Sequence, residues 1–190
     1  ELVALIQEAK ALKHPNFAGL HLEGPFISHD FKGAHDPEVL HAPTDAELAQ
    51  IVEASDGLVK SMTVAPELIS DNQLKSLQEA GIEVCLGHSA ADYEQTRAFF
   101  AKESKIMTHA FNGMAGIHHR APGPVPAALE SDAFTELIAD GVHVEPAAAR
   151  LLNQKKVILV TDAMAATGMP DGDYNLGAMS VKVSKGVART

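Results

Sequence analysis

The feature that most limits how this chain can fold is its alternation of short, strand-like apolar runs with helical segments. The runs fall at 18–23, 58–64, 82–87, 106–109, 134–139 and 157–161. The last is rich in Val, Ile and Leu, the composition of a strand buried on both faces. Between the runs lie recognisable helix signals. An amphipathic helix carried by Leu2, Val3, Leu5, Ile6 and Ala9 closes before Pro15. Thr44 followed by Glu47 forms a capping box that opens a helix through about residue 54. Residues 71–80 form a helix stopped by Gly81, residues 92–102 another, and Pro146 sits in the first turn of one ending near Lys155. Residues 24–43, rich in Gly, Pro and His, and the stretch between His109 and Phe134 read as loops. Repetition of strand and helix with short connections builds a parallel sheet with helices outside it.

The position of the unusual residues separates two forms of such a sheet. Glu23, His88, His109, His143 and Asp162 each lie at, or just beyond, the carboxyl end of a strand. In a closed barrel those positions converge on one mouth, where the active sites of this architecture sit; an open sheet spreads them along an edge. The expected fold class is therefore an α/β, (β/α)8 TIM-type barrel. Closure needs eight strands and six are visible, so the barrel is expected to be incomplete here, with strands missing upstream of Glu1. From Gly172 onward, Met179, Val181 and Val183 alternate with polar residues as in a half-exposed strand.

Fifteen Lys and Arg against 25 Asp and Glu leave a net charge of −10, which argues against nucleic acid or an anionic membrane surface as partner. No apolar run approaches the length of a membrane span. The single cysteine, Cys85, has no internal disulfide partner, which suits a reducing compartment and a cytoplasmic protein.

Most of the ten histidines need no special role. His14 and His41 flank prolines in loops and are expected at the surface, and His29 has no pattern around it. His21 lies two residues before Glu23, so strand alternation aims both inward, and a hydrogen-bonded interior histidine is expected there. His88 and His109 differ, because each ends an apolar strand. A buried imidazole bonded to backbone is one reading of either. Together with Glu23 they form a His, His, carboxylate set from three strand ends, and three protein ligands with one open position is the pattern of a catalytic divalent metal. This donor set suits Zn²⁺, with Fe²⁺, Co²⁺ or Mn²⁺ fitting less selectively. Asp162 reads either as a helix cap or as a general base beside the metal, buried with it. A divalent ion lowers the pKa of a water to about 7, and a neighbouring carboxylate can then take its proton and pass it to a leaving amine.

Of the four arginines, Arg97 and Arg150 fall in outer helices and Arg189 in the tail, which leaves Arg120 in a loop at the mouth. Its guanidinium suits phosphate oxygens, and Asn112 with Gly113 can add side-chain and backbone donors. A plain surface arginine is the rival reading. Lys32 is a weaker second candidate.

Six blocks now stand in order: His21-Leu-Glu23-Gly-Pro-Phe, Lys32-Gly-Ala-His35, Gly87-His88-Ser-Ala, Thr108-His109-Ala-Phe-Asn112-Gly113-Met, Ala139-Asp140-Gly-Val-His143 and Val160-Thr161-Asp162-Ala163. In these blocks the chain resembles the N-acetylglucosamine-6-phosphate deacetylases of the amidohydrolase superfamily. The resemblance implies metal-dependent hydrolysis of the acetamide of this phosphosugar, in amino-sugar catabolism or recycling. It implies Glu23, His88 and His109 as metal ligands, Asp162 as base and then acid, and His35 as the group polarising the acetamide carbonyl. His143 would hold the sugar. Ala34, His35, Asn112, Gly113, Arg120, Asp140, Gly141, Val142 and His143 would line the substrate site, with Arg120 on the phosphate. His35 enters only through the resemblance, since its loop position alone reads as surface.

The resemblance also implies a homo-oligomer, dimer or tetramer, when intact, and a small β domain built from both chain ends. Residues 1–171 would then be the partial barrel and 172–190 a remnant of that domain. The superfamily often carries a His-x-His pair on its first barrel strand, and this chain has none, so one metal or two stays open. Two other functions stay open as well: an amidohydrolase acting on galactosamine 6-phosphate or a cyclic amide, and a non-catalytic sugar-phosphate binder.

Overall fold

The computed structural model describes residues 2–152, 156–177 and 179–189. Its main body is a parallel sheet of β1 (Leu20–Glu23), β2 (Val59–Val64), β3 (Glu83–Leu86), β4 (Ile106–Met107), β5 (Phe134–Ile138) and β6 (Lys156–Val160). The strands lie side by side in chain order, β1 to β6. That order decides the architecture. Right-handed crossovers between sequential neighbours put every helix on one face, and such a sheet curls into a half-barrel; a doubly wound sheet would need a reversal of order.

The helices are α1 (Leu2–Ala9), α2 (Asp45–Ser55), α3 (Asp71–Glu79), α4 (Tyr93–Phe100), α5 (Pro124–Glu130) and α6 (Pro146–Ala149). Thr44 and Glu47 form the anticipated capping box, and Ser70 with Gln73 and Asp92 with Gln95 form two more. Gly81 closes α3 at φ +77°, as its residue type allows. The apolar faces of these helices meet the sheet in one core, which includes Ile6, Leu48, Ile51, Met62, Leu77, Leu86, Phe99 and Met107.

Four expectations need correction. The stretch before Phe134 holds a helix, α5, which starts after Gly123 at φ +73°. Pro124 and Pro126 sit in its first turn, where N–H groups have no intrahelical partner to lose. The helix opened by Pro146 is four residues followed by a 3₁₀ turn, Arg150–Leu152; its expected end near Lys155 lies outside the described residues. β6 is not buried on both faces: it pairs only with β5 among the described residues, and Leu159 is 72% exposed. The tail is a three-stranded antiparallel sheet of β7 (Gly172–Leu176), β8 (Met179–Ser184) and β9 (Val187–Arg189), with Val181 and Val183 buried.

A polar ladder crosses the concave face of the half-barrel. His21 bonds Ser61 Oγ at 2.7 Å and Thr63 Oγ1 at 2.9 Å, and Thr63 Oγ1 bonds Thr108 Oγ1 at 2.7 Å. Gly87 makes this approach possible, since a Cβ there would lie 2.7 Å from Thr63 Cγ2 and 2.9 Å from Thr108 Cβ. His21 is thus a hydrogen-bonded histidine facing the concave side, and the open curve of the sheet leaves it exposed.

Candidate metal centre

The strands deliver their carboxyl ends to one rim, and the backbone there is unusual. His88, two residues past β3, has φ +45°; His109, two past β4, has φ +25°; Asp162, two past β6, has φ +49°. Side chains other than glycine seldom occupy this left-handed region, and such positions cluster at functional sites.

Glu23 closes β1 and receives two imidazoles on one oxygen. His109 Nε2 lies 2.9 Å and His88 Nε2 3.3 Å from Glu23 Oε1. Three donors about 2.1 Å from a tetrahedral ion sit roughly 3.4 Å from one another, a spacing that each imidazole comes near relative to Glu23. The chemistry of His88 adds to this. Its Nδ1 lies 2.6 Å from the Phe31 carbonyl, which only accepts, so Nδ1 carries a proton. In the neutral ring Nε2 is then a bare lone pair facing a carboxylate, and a proton or a cation must lie between them. Ligating histidines are held in this way, through the nitrogen that does not touch the metal.

His88 is also tightly seated. A Cβ on Gly113 would come within 2.7 Å of its Nδ1, and one on Gly33 within 3.0 Å of its Cε1. Gly113 (φ +59°) thus serves as a wall against the ring. His109 is buried, and its Nδ1 lacks a partner, the one such buried side-chain atom among the described residues.

Charge follows the same geometry. Burial disfavours the Glu23 carboxylate, but the bonds from His109 and His88 and their positive charge outweigh it and hold the carboxyl well below its usual range. His109 is pushed the opposite way: burial lowers it, but the bond to Glu23, the charge of Glu23 and the charge of Asp162 outweigh burial and raise it above the ordinary histidine value.

His35 joins this cluster from the loop after β1. Its Nδ1 donates to the Lys32 carbonyl at 2.9 Å, and its Nε2 lies 3.6 Å from Glu23 Oε2. Glu23, His35 and His88 each offer a ligand atom within 4.8 Å of the others, a Glu/His/His group able to hold a metal; the expected third ligand, His109, is not in that group, although its Nε2 lies 2.9 Å from Glu23 Oε1. Nothing periodic surrounds His35, so spacing alone does not point to it; the loop brings it to the rim through a tight turn at Gly33 (φ +55°).

The remaining candidates behave differently. Asp162 is exposed rather than buried, although its charge reaches His109. Arg120 is exposed on the loop between β4 and α5. The side-chain amide of Asn112 donates to the carbonyls of His109 (3.2 Å) and Ala110 (3.4 Å), so its N–H groups are engaged with its own turn. Lys32 Nζ folds back onto the Gly33 and His35 carbonyls, and Ala34 is half-buried between them.

After β5, Asp140 organises a turn: one carboxylate oxygen accepts from the N–H groups of Val142 and His143, the other contacts His143 Nδ1 at 2.7 Å. Burial opposes this, yet the two backbone bonds and the His143 contact bring Asp140 down to about 2. Gly141 takes φ +73° in the same turn, and Val142 is 53% exposed.

No protein-family model matches the chain. It is 44% identical over 177 residues to an N-acetylgalactosamine-6-phosphate deacetylase of Escherichia coli, a match covering 90% of this chain and 47% of that protein. It is 42% identical over 197 residues to the N-acetylglucosamine-6-phosphate deacetylase of Vibrio furnissii, covering 98% and 49%. A mutant N-acetyl-D-glucosamine-6-phosphate deacetylase of Mycobacterium smegmatis, solved with N-acetyl-D-glucosamine-6-phosphate, superposes with TM-score 0.89 at 39% identity, covering 99% of this chain and 50% of that one. The chain spans about half the length of the relatives it matches.

Proposed function

We propose that this chain carries the metal-holding half of a deacetylase that hydrolyses the acetamide of N-acetylglucosamine 6-phosphate to glucosamine 6-phosphate and acetate. The observation that carries the reading is the meeting of His88 and His109 on one oxygen of Glu23, at the mouth of a half-barrel whose homologues are deacetylases of N-acetylhexosamine 6-phosphates. Glu23, His88 and His109 would hold one divalent ion, Zn²⁺ in preference to Fe²⁺, Co²⁺ or Mn²⁺. When bound, the ion supplies a water of lowered pKa and a Lewis acid for the carbonyl.

The chain's own groups do the rest. Asp162 takes the proton of the attacking water. The water oxygen bonds to the carbonyl carbon, the C–N bond breaks, and Asp162 returns the proton to the departing amine. His35, from Nε2, steadies the oxyanion as it forms. Arg120 pairs with the phosphate, Asn112 and Gly113 flank it, and His143, oriented by Asp140, holds the sugar. Residues 1–171 form the catalytic barrel portion, whose outer strands among the described residues are β1 and β6; further strands complete the barrel in the whole protein, which is a homo-oligomer. Residues 172–190 belong to a small β domain, in keeping with the change from parallel to antiparallel sheet at Gly172.

A second substrate deserves equal testing, because one relative acts by name on the galactosamine epimer. Acetate release and metal content are measured together on the whole protein with both N-acetylhexosamine 6-phosphates. The expected result is metal-dependent acetate release that a chelator stops. Tight binding of either sugar without acetate release would make the protein a sugar-phosphate binder.

A further inference from the structure

His88 holds a left-handed backbone conformation that its side chain disfavours, so neighbouring groups must keep it there. Its carbonyl accepts from the Ser28 N–H at 2.8 Å, and the next residue, Ser89, donates its N–H to the Gly113 carbonyl at 3.0 Å. A carboxylate completes the hold. Glu67, in the 3₁₀ turn Pro66–Leu68 after β2, accepts from Ser89 Oγ at 2.7 Å on one oxygen and from the Ala90 N–H at 2.6 Å on the other. Ser89 Oγ in turn accepts from the Ala91 N–H at 2.9 Å, so the carboxylate grips the whole segment that leaves His88. Both bonds are short and charge-assisted, the stronger kind of hydrogen bond. Ser89 is fully buried, which leaves water little access to replace its partner.

We infer that Glu67 is a positioning residue for the metal centre: it clamps Ser89–Ala90 and so fixes the turn that points His88 Nε2 at Glu23. It touches neither Glu23 nor a histidine in the contacts above, and its effect passes through the backbone of residues 88–90. The inference rests on the proposed metal role of Glu23, His88 and His109, and the test separates the two.

Zinc affinity and the thermal midpoint of the metal-free form are measured on the whole protein for the wild type, Glu67→Ala, Glu67→Gln and His88→Ala. Glu67→Ala is expected to weaken zinc binding about 10- to 100-fold, the usual effect of removing an outer support of a ligand. The metal-free midpoint should change little. Glutamine can keep the Ala90 bond and reverse the one to Ser89, so Glu67→Gln should recover most of the affinity. Unchanged zinc affinity in Glu67→Ala, with or without a lower midpoint, overturns the inference while His88→Ala still loses zinc. If His88→Ala binds zinc like the wild type, the metal reading itself fails and takes this inference with it. Should Glu67→Ala not fold, Ser89→Ala decides, since it removes one of the two bonds: several-fold weaker zinc binding supports the clamp, and unchanged binding overturns it.

Discussion

The two sides of the rim are built on different principles. On the side of β1 to β4, Glu23 and His88 are pinned by residues far away in sequence: Glu23 by His88 and His109, His88 by Phe31, Gly33 and Gly113, and the segment after it by Glu67. On the side of β5 and β6, Asp140 and His143 bond within their own turn, and Asp162 and Val142 are exposed. The proposed metal ligation needs side chains held closely in place, and contacts from distant segments supply such a hold. The groups proposed to meet a substrate can be ordered by it, and local turns suffice to keep them near.

The largest expected effect breaks the pinned side. His88→Ala should weaken metal binding by more than about 100-fold, beyond the loss of an outer support, and turnover should go with it. Metal analysis after dialysis reads this directly; retention of metal would mean that the two sides do not differ in this way. Next, Asp162→Asn should keep the metal and lose about 10²- to 10⁴-fold in turnover, the range of general acid–base catalysis. Substantial remaining turnover would remove Asp162 from the chemistry.

Arg120→Ala should then raise KM for the phosphorylated sugar about 10- to 100-fold, the size of a lost charge-assisted bond, with metal content unchanged. An unchanged KM would place phosphate recognition elsewhere. The smallest effect is a titration of the local side. Asp140 is lowered in the folded chain, so the hold it gives the turn is complete above the ordinary aspartate value of about 4 and fades as pH falls through about 2. The amide signals of Val142 and His143 should follow that acid limb, and their indifference to it would show that the turn stands without Asp140.

The same contrast explains what could be read from the residues. Six strands and their order were legible because each is a compact apolar run, and Glu23, His88 and His109 stood out as candidates because each ends such a run with a group that apolar surroundings do not favour. His35 was not legible from its neighbours, for its loop reaches the site through a turn at Gly33 and not through periodicity. Glu67 was invisible for a related reason. A glutamate after a proline reads as solvated surface, and only the fold brings residues 67 and 89 together. Helix α5 was hidden by its two prolines, which look like loop chemistry until they fall in a first turn. Asp162 was misjudged in burial because a half-barrel leaves its rim open where a closed one would cover it.

Cys85 offers an experimental handle. It is the chain's single cysteine and 1% exposed, and burial together with the charges of Glu136 and Glu83 pushes its thiol well above the ordinary value. Alkylating reagents need an accessible thiolate, so the native chain should stay silent toward them. A cysteine introduced at exposed Val142 would then be the sole attachment point in this chain for a fluorophore or spin label. Motion of the Asp140–His143 turn could be followed in real time as a phosphosugar is added, without first removing any native sulfur.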